Sequence, residues 1–394
     1  MPEPAPILIA GGGIGGLALA LALAKTGRAS TVLEQRESFG TTGAGIQLGP
    51  NGVRVLQRLG LAEALRPAVG VPDALAVHDG RSGRTLAVLP LGRWIAARHG
   101  APYWVVHRGD LHAVLAAAAS AEPRITLRTG FALDSLTQWG DGVQAASAAG
   151  DVVTGAALVG ADGLWSRVRD AVSAGHVPRF VGATASRTVI PVAAAGQLAL
   201  PAVGLWLSPG ANIAHYPVRG GSEIAAVVIA AETWQGTDWD AAADRATLNA
   251  RLAGFHASLA DPLSMAPAWR KWALYRLPPL RAWSAGRITL IGDAAHPMLP
   301  HLAQGGVLAL EDALVLADAL AAHPGNEAQA FLAFEGKRRR RAARAQAMSR
   351  VNGGVYHLRL PLSWARDGVL RAVPGAWLMA GYDWLYGWRS DAGA

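Results

Sequence analysis

The sequence predicts an α/β protein: a parallel sheet, an inserted antiparallel sheet and a helical C-terminal segment. Three observations predict it. A glycine cluster follows an apolar strand and opens a helix. Two further short apolar strands, far apart in the chain, each end in a turn containing Asp beside Gly. Between those two turns lies a run of short strand-like segments broken by Gly and Pro.

Residues 6–10 read as the first strand and 17–25, ending at Gly27, as the helix after it. Gly11-x-Gly13-x-x-Gly16 lies between them. The first glycine makes the tight turn, the second lets a diphosphate approach the backbone, and the third lets helix and strand pack closely. A diphosphate then sits on unpaired N–H groups at the helix start, which includes Ile14. Ser30–Leu33 reads as the next strand, with Glu34 at its end, 18 residues after Gly16, and Gln35 and Arg36 following. A carboxylate there accepts both ribose hydroxyls of an adenosine and repels a 2′-phosphate. The nest therefore favours FAD or NAD over NADP in a Rossmann-like fold. A solvated strand-end carboxylate is the plainer alternative for Glu34.

Ala157–Gly160 is the second strand-to-turn unit, leading into Ala161-Asp162-Gly163-Leu164-Trp165-Ser166-Arg167-Val168-Arg169. Residues 288–291 form the third, followed by Gly292-Asp293-Ala294-Ala295-His296-Pro297. After Pro300, His301 and Gln304-Gly305-Gly306 an amphipathic helix is expected, with Leu308, Leu310, Leu314, Val315 and Leu316 beside Glu311 and Asp312. Each Asp taken singly could be an N-cap; three strand ends of one pattern indicate a ligand.

Composition bounds the rest. The 394 residues include no Cys, which removes disulfides, Cys-type zinc sites, iron–sulfur clusters and thiol nucleophiles. No metal site is expected. Residues 4–24 carry no charge, yet the glycines at their centre break a signal or spanning helix, and a soluble cytoplasmic chain without a membrane span is expected. The formal charge is +8, and residues 336–350 alone supply seven basic groups and no acid. Lys337-Arg338-Arg339-Arg340-Arg341, with Arg344 and Arg350, reads as a solvated helix face. With no aromatic residues interleaved, nucleic acid is not expected as a partner.

This set of motifs resembles the group A flavoprotein monooxygenases, the single-component aromatic hydroxylases of the para-hydroxybenzoate hydroxylase type. The likeness extends to Gly43-Ala44-Gly45-Ile46-Gln47-Leu48, His107-Arg108-Gly109-Asp110-Leu111, His215-Tyr216-Pro217-Val218-Arg219-Gly220-Gly221 and residues 272–283. It covers nearly the whole chain and is nearest the salicylate hydroxylase, 3-hydroxybenzoate 6-hydroxylase and 6-hydroxynicotinate 3-monooxygenase subset. The resemblance implies that Gly11, Gly13, Ile14, Gly16, Glu34, Gln35 and Arg36 hold the ADP half of FAD. It implies Arg108 near the diphosphate or ribityl, Asp293 on a ribityl hydroxyl, and Asp162 serving both FAD and a visiting nicotinamide. Gly45, Ile46, Pro300, Gly305, Gly306 and Val307 would border the isoalloxazine.

The implied reaction hydroxylates a small aromatic, a phenolic acid or hydroxypyridine, with NADH or NADPH and O2 through a flavin C4a-hydroperoxide. An acid–base group is then needed near the flavin. His301, Tyr216, His215 and Gln47 are the candidates. His215 and Tyr216 are neighbours on a strand and face opposite ways, so one sees the substrate, and Tyr216 is favoured. His296 reads as a supporting scaffold. The chain departs from the subset at Gln47 and Asn212, where histidines are common, at Pro300, where the 3-hydroxybenzoate enzymes have Gln, and at Val307 and Leu308. These departures leave the substrate open. A same-fold oxygenase acting on a larger substrate, or a flavin-binding regulatory protein, are the other readings.

The expected division is 1–70, 101–170 and 284–350 for FAD, 71–100 and 171–283 for substrate, and 351–394 as a C-terminal helical segment. Short strands are expected at 190–194, 203–207, 213–218 and 224–230. Trp206, Trp234, Trp239, Trp269, Trp272 and Trp283 are mostly core. The segment after 350, rich in Trp, Tyr and Leu, packs on the FAD unit, builds a dimer interface or touches lipid; the chain is a monomer or homodimer.

Overall fold

The computed structural model describes residues 5–40, 45–234 and 240–390; Gly43, Ala44 and Trp239 lie outside these. A six-stranded sheet runs in the order Ser284–Ala285, Ile288–Leu290, Ala157–Gly160, Ile7–Ala10, Ser30–Leu33, Ile125–Arg128. All pairs are parallel except the Ser284–Ala285 hairpin. Ile7–Ala10 lies in the middle and is buried along its whole length, as a strand covered on both faces must be. Parallel pairing brings the carboxyl ends of four strands to one edge. Gly11, Glu34, Asp162 and Asp293 therefore converge there, although the chain separates them by up to 282 positions.

The first helix spans Ile14–Lys25, three residues earlier than the sequence suggests, with Gly15 and Gly16 in its opening turn. Close packing explains this. A Cβ on Gly16 would stand 2.0 Å from the Gly11 carbonyl oxygen, and one on Gly15 3.2 Å from Ala309. The helix Gly305–Ala322 crosses here, and it is not amphipathic: Glu311 and Asp312 are fully buried.

An eight-stranded sheet carries, in order, Asp240–Ala242, Arg270–Arg276, Arg179–Pro191, Glu223–Ala231, Ala211–Val218, Ala202–Ser208, Ala74–Asp79 and Thr85–Pro90. It is antiparallel apart from the pairing of Ala202–Ser208 with Ala74–Asp79. Instead of a strand at 190–194, the 13-residue strand Arg179–Pro191 stops at its proline, and Val192–Ala194 is one 3-10 turn. Trp206, Ile213 and Val228 on one face pack under the helices Arg245–Leu252 and Ala257–Ser264. The opposite face, with Asn212, Ala214 and Tyr216, turns towards a small sheet of Gly45–Leu48, Trp104–His107 and Val69–Gly70.

The helix Glu327–Tyr356 lies along Gly305–Ala322 and corrects the reading of the arginine run. Arg338 is 1% exposed. Its Nε donates to Asp312 Oδ1 at 2.7 Å and its Nη1 lies 2.7 Å from Glu311 Oε2. Arg341 grips both oxygens of Glu311 at 2.6 and 2.7 Å. The basic stretch is thus split by helical periodicity, with Lys337, Arg339 and Arg340 outward and Arg338 inward. Burial alone would push the Asp312 carboxyl up, but His296, Arg338 and the Gly292 N–H hold it well below the usual range. Glu311 is likewise held low against its burial by Arg338, Arg341 and Asn51.

The chain after 356 forms the helices Leu362–Ala372, Gly375–Ala380 and Asp383–Tyr386. Arg341 donates to the carbonyls of Trp384 and Leu385, both at 2.9 Å, and Arg54 to those of Tyr386 and Trp388. Met379, Leu385 and Tyr386 join one core with Tyr103, Tyr216, Leu302 and Leu308, while Trp364 and Trp377 stay 68% and 75% exposed. Among the described residues no helix is long and apolar enough to cross a membrane.

Removing one partner of a buried ion pair leaves an uncompensated charge and costs about 3–5 kcal/mol. Arg338→Met should therefore lower the thermal midpoint by several degrees or more in calorimetry. Because Asp312 and Glu311 titrate below their unfolded values, their contribution is present above about pH 4. It is lost as pH falls through the folded values, so acid titration of stability should show a steep limb that Arg338→Met flattens.

Candidate active site

The glycine turn forms an anion cradle. Gly11 has φ +107°, and a Cβ there would lie 2.4 Å from the Ala161 oxygen, so only glycine fits. Gly13 caps the helix Ile14–Lys25 without a side chain, has nothing within 4 Å of where its Cβ would be, and no acidic residue occupies the first turn. The positive end of the helix therefore faces open space. Glu34 stands at the mouth, its Oε2 accepting from the Gly12 N–H at 2.8 Å and its Oε1 from the Arg36 N–H at 3.0 Å. His112 Nε2 donates to the Gly12 carbonyl at 2.7 Å and fixes that peptide. Gln35 and Arg36 are exposed beside it; Ile14 is buried and offers only its backbone.

Arg108, the first residue of the helix Arg108–Ala121, continues the cleft. The surrounding protein lowers the pKa of its guanidinium, Asp293 raises it and Arg36 lowers it, so both charges lie within electrostatic reach of Arg108 along this trench. Asp293 faces this trench rather than the packed core. The surrounding protein pushes its carboxyl up against the pull of His296 and Arg108. Asp162 divides its work. Its Oδ2 accepts from the N–H groups of Arg167 and Val168 at 2.8 and 3.1 Å, a capping role. Its Oδ1 is buried without a partner among the described residues, and burial pushes the carboxyl up. A buried carboxylate oxygen without a donor suits a ligand hydroxyl.

The start of the helix Gly305–Ala322 closes the far end. Its first turn has no acid, and the side chain of its cap, Gln304, is engaged by Asn51 at 2.9 Å. A Cβ on Gly306 would stand 2.7 Å from Ile46 Cδ1, and one on Gly305 3.9 Å from Asp293 Oδ1. Gly45, Ile46, Gly305, Gly306 and Asp293 are thus brought together. Val307 is buried against Gly52, so its contribution is a backbone N–H. Pro300 opens the 3-10 turn Pro300–Leu302, after which Ala303, at φ +53°, reverses the chain into the helix. Asp293 and Asp162 supply acceptors for hydroxyls, and two bare helix starts supply positive ends. These residues fit FAD.

Beyond the cradle the structure separates the catalytic candidates. Tyr216 is 3% exposed and donates its hydroxyl to the Gly45 carbonyl at 2.7 Å. Burial pushes its phenol up to about 12, against the pull of Arg187, so it stays protonated. His215 turns to the other face, beside Trp206 and directly over Gly204, where a Cβ would meet its Nε2 at 2.0 Å. It is removed from the cleft, and burial with His78 nearby lowers its pKa to about 3. Gln47 Oε1 accepts from Tyr103 Oη at 2.5 Å. His301 lies at the turn before Gly305. Burial and the neighbouring His357 lower its pKa to about 4, so the ring is neutral, and its Nδ1 is buried without a partner.

His296 is the scaffold its motif suggests, with Nε2 2.6 Å from Asp312 Oδ2 and its ring 4.9 Å from that of Trp283. Sequence reasoning missed Tyr103, Arg187, Tyr356 and His357. Arg187 lies over the Trp272 ring at 4.7 Å, on the face of the sheet that carries Tyr216. Strand alternation over 185–189 could have placed it. His357 and Tyr356 come from the far end of the chain, but Asn352-Gly353-x-x-Tyr356-His357 places its polar groups on one helical face.

A parallel-sheet fold with ligand-binding turns at its carboxyl edge defines a dinucleotide-binding protein, and comparison with known proteins makes the dinucleotide FAD. The FAD binding domain family model matches residues 4–351, and the chain belongs to that family. It is 34% identical over 386 residues to a 3-hydroxybenzoate 6-hydroxylase of Klebsiella oxytoca, covering 98% of this chain and 97% of the relative. It is 35% identical over 352 residues to a 6-hydroxynicotinate 3-monooxygenase of Bordetella bronchiseptica, covering 88% and 91%. A salicylate hydroxylase substrate complex superposes with a TM-score of 0.82 at 26% identity, covering 99% and 97%. The protein is a FAD-dependent monooxygenase of the aromatic hydroxylase type.

Charge-assisted hydrogen bonds are worth about 1.5–3 kcal/mol. Glu34→Ala should weaken FAD binding about tenfold or more in a fluorescence titration of the apoprotein.

Proposed function

We propose that the protein hydroxylates a small aromatic, a phenolic acid or hydroxypyridine carboxylate, with NADH or NADPH as reductant. The balance is Ar–H + O2 + NAD(P)H + H+ → Ar–OH + H2O + NAD(P)+. The observation that carries this reading is His301, a neutral imidazole with an unpartnered buried Nδ1 at the turn bordering Gly305 and Gly306. FAD supplies the electron transfer from nicotinamide and the activation of O2.

The chain's own residues do the rest. Glu34, Arg36, Arg108, Asp162 and Asp293 bind and orient the cofactor, and the start of the helix Gly305–Ala322 favours negative charge on its ring. Neutral His301 accepts a hydrogen bond from the substrate hydroxyl, which polarises the O–H bond and enriches the ring in electrons. Tyr216, protonated and bound to the Gly45 carbonyl, fixes the strand Gly45–Leu48 against the sheet. Tyr103, Tyr216, Leu302 and Tyr386 keep water from the reacting ring. The Arg187 guanidinium on the same face of the sheet suits a substrate carboxylate.

The test is a panel of hydroxybenzoates and hydroxypyridine carboxylates, scored by product mass and 18O incorporation from O2. A product that gains one oxygen supports the reading. Binding without product across the panel favours a regulatory flavoprotein, and product only from larger substrates favours the broader oxygenase reading. His301→Ala should lower product formation about a hundredfold, or uncouple it from NAD(P)H loss, with FAD still bound. In the wild type kcat/KM should fall as pH drops through about 4, the value of His301, and His301→Gln should remove that limb.

A further inference from the structure

The helix Glu327–Tyr356 ends against the eight-stranded sheet, and its last turn clasps His301. Asn352 Nδ2 and Tyr356 Oη both donate to the His301 carbonyl, at 3.2 and 3.3 Å. The imidazole lies over Gly353, where a Cβ would stand 2.6 Å from its Cδ2, so a larger residue would displace the ring. The rings of Tyr356 and His357 meet it edge-on, at 5.9 and 5.6 Å between centroids.

One residue past the helix, His357 reaches across to the sheet. Its Nε2 lies 2.9 Å from Oδ1 of Asn212, which is buried on the strand Ala211–Val218 and on the same face as Tyr216. An amide oxygen only accepts, so Nε2 carries the hydrogen, and the neutral ring keeps its lone pair on Nδ1. No carboxylate hydrogen-bonds or ion-pairs with either imidazole among the described residues, and burial favours the uncharged form of both. Packing alone would be served by two apolar side chains. Here two polar ones, 145 positions apart, satisfy each other, while the neighbouring His301 Nδ1 has no partner.

We infer that His357 is a specificity-determining residue: Asn212 holds its ring so that, beside His301, it selects aromatics bearing a hydrogen-bond-donating ring substituent, a hydroxyl or ring N–H. The inference rests on the aromatic-hydroxylase reading above and deepens it, since it assigns the far end of the chain to substrate choice. The neutral acceptor nitrogens of the two imidazoles recognise the donor, and a ring that lacks it leaves His301 Nδ1 buried and unpaired.

The test uses the FAD-loaded protein without reductant and follows flavin absorbance as ligand is added. Three hydroxylated probes (salicylate, 3-hydroxybenzoate and 6-hydroxynicotinate) are compared with their counterparts lacking the hydroxyl, benzoate and nicotinate. The wild type should bind at least one hydroxylated probe tenfold or more tighter than its counterpart. That ratio should fall to threefold or less in His357→Leu and in Asn212→Leu, which leaves His357 in place but unheld. The double variant should be no worse than either single one, because the two residues act as a unit. His357→Gln, still able to donate to Asn212, should keep most of the ratio. An unchanged ratio in both single variants, or additive losses, overturns this inference and leaves the hydroxylase reading standing. A wild type with FAD bound whose flavin responds to none of the probes overturns both.

Discussion

The rest of the structure depends on the carboxylate of Asp312. It is wholly buried and has three partners from two other parts of the chain: the Gly292 N–H at 2.9 Å, His296 at 2.6 Å and Arg338 at 2.7 Å. Gly292 and His296 flank Asp293 in the cofactor turn, Asp312 sits on the helix whose start faces the cofactor, and Arg338 belongs to the long C-terminal helix. One anion therefore fixes the spacing of the cofactor turn, the helix N-terminus and the helix that carries the pocket clasp. Such a charge is tolerated in the interior only when each lone pair is met, which makes this geometry exacting.

The neighbouring Glu311 extends the same logic outwards. Arg338 and Arg341 hold it, and Arg341 goes on to bind the carbonyls of Trp384 and Leu385. The last helices are thereby tied to the cofactor helix by guanidinium groups rather than by apolar contact alone. That tie delivers Tyr386 to Tyr103 and places Tyr356 and His357 beside His301. The overall charge of +8 is consequently a poor guide to the surface, because part of the basic run neutralises buried acids.

The two halves of the site are built differently. The cofactor side is made largely of backbone, at glycines such as Gly11, Gly16 and Gly306 where a Cβ would collide, with few side-chain carboxylates. The proposed substrate side draws on side chains from a sheet, a turn and a helix end. Backbone cradles need particular residues at fixed local spacing, and so they leave a pattern in the sequence. The proposed substrate wall of Gln47, Tyr103, Arg187, Asn212, Tyr216, His301 and His357 has no shared spacing, since no two belong to one local unit except the pair on the strand Ala211–Val218.

The sequence by itself determined the parallel sheet, the three strand-end turns and the glycine spacing of the anion cradle, because strand periodicity and glycine spacing are local constraints. It also separated His215 from Tyr216, since neighbours on a strand must point to opposite faces. Only the tertiary structure decided which face meets the cleft, that Glu311 and Asp312 lie inside, and that Arg338 is a buried counter-ion rather than part of a solvated stripe. Ion pairing and burial depend on what packs against a helix, and no window of sequence contains that partner. The same reason hid His357: its meaning comes from Asn212 and His301, 145 and 56 positions away.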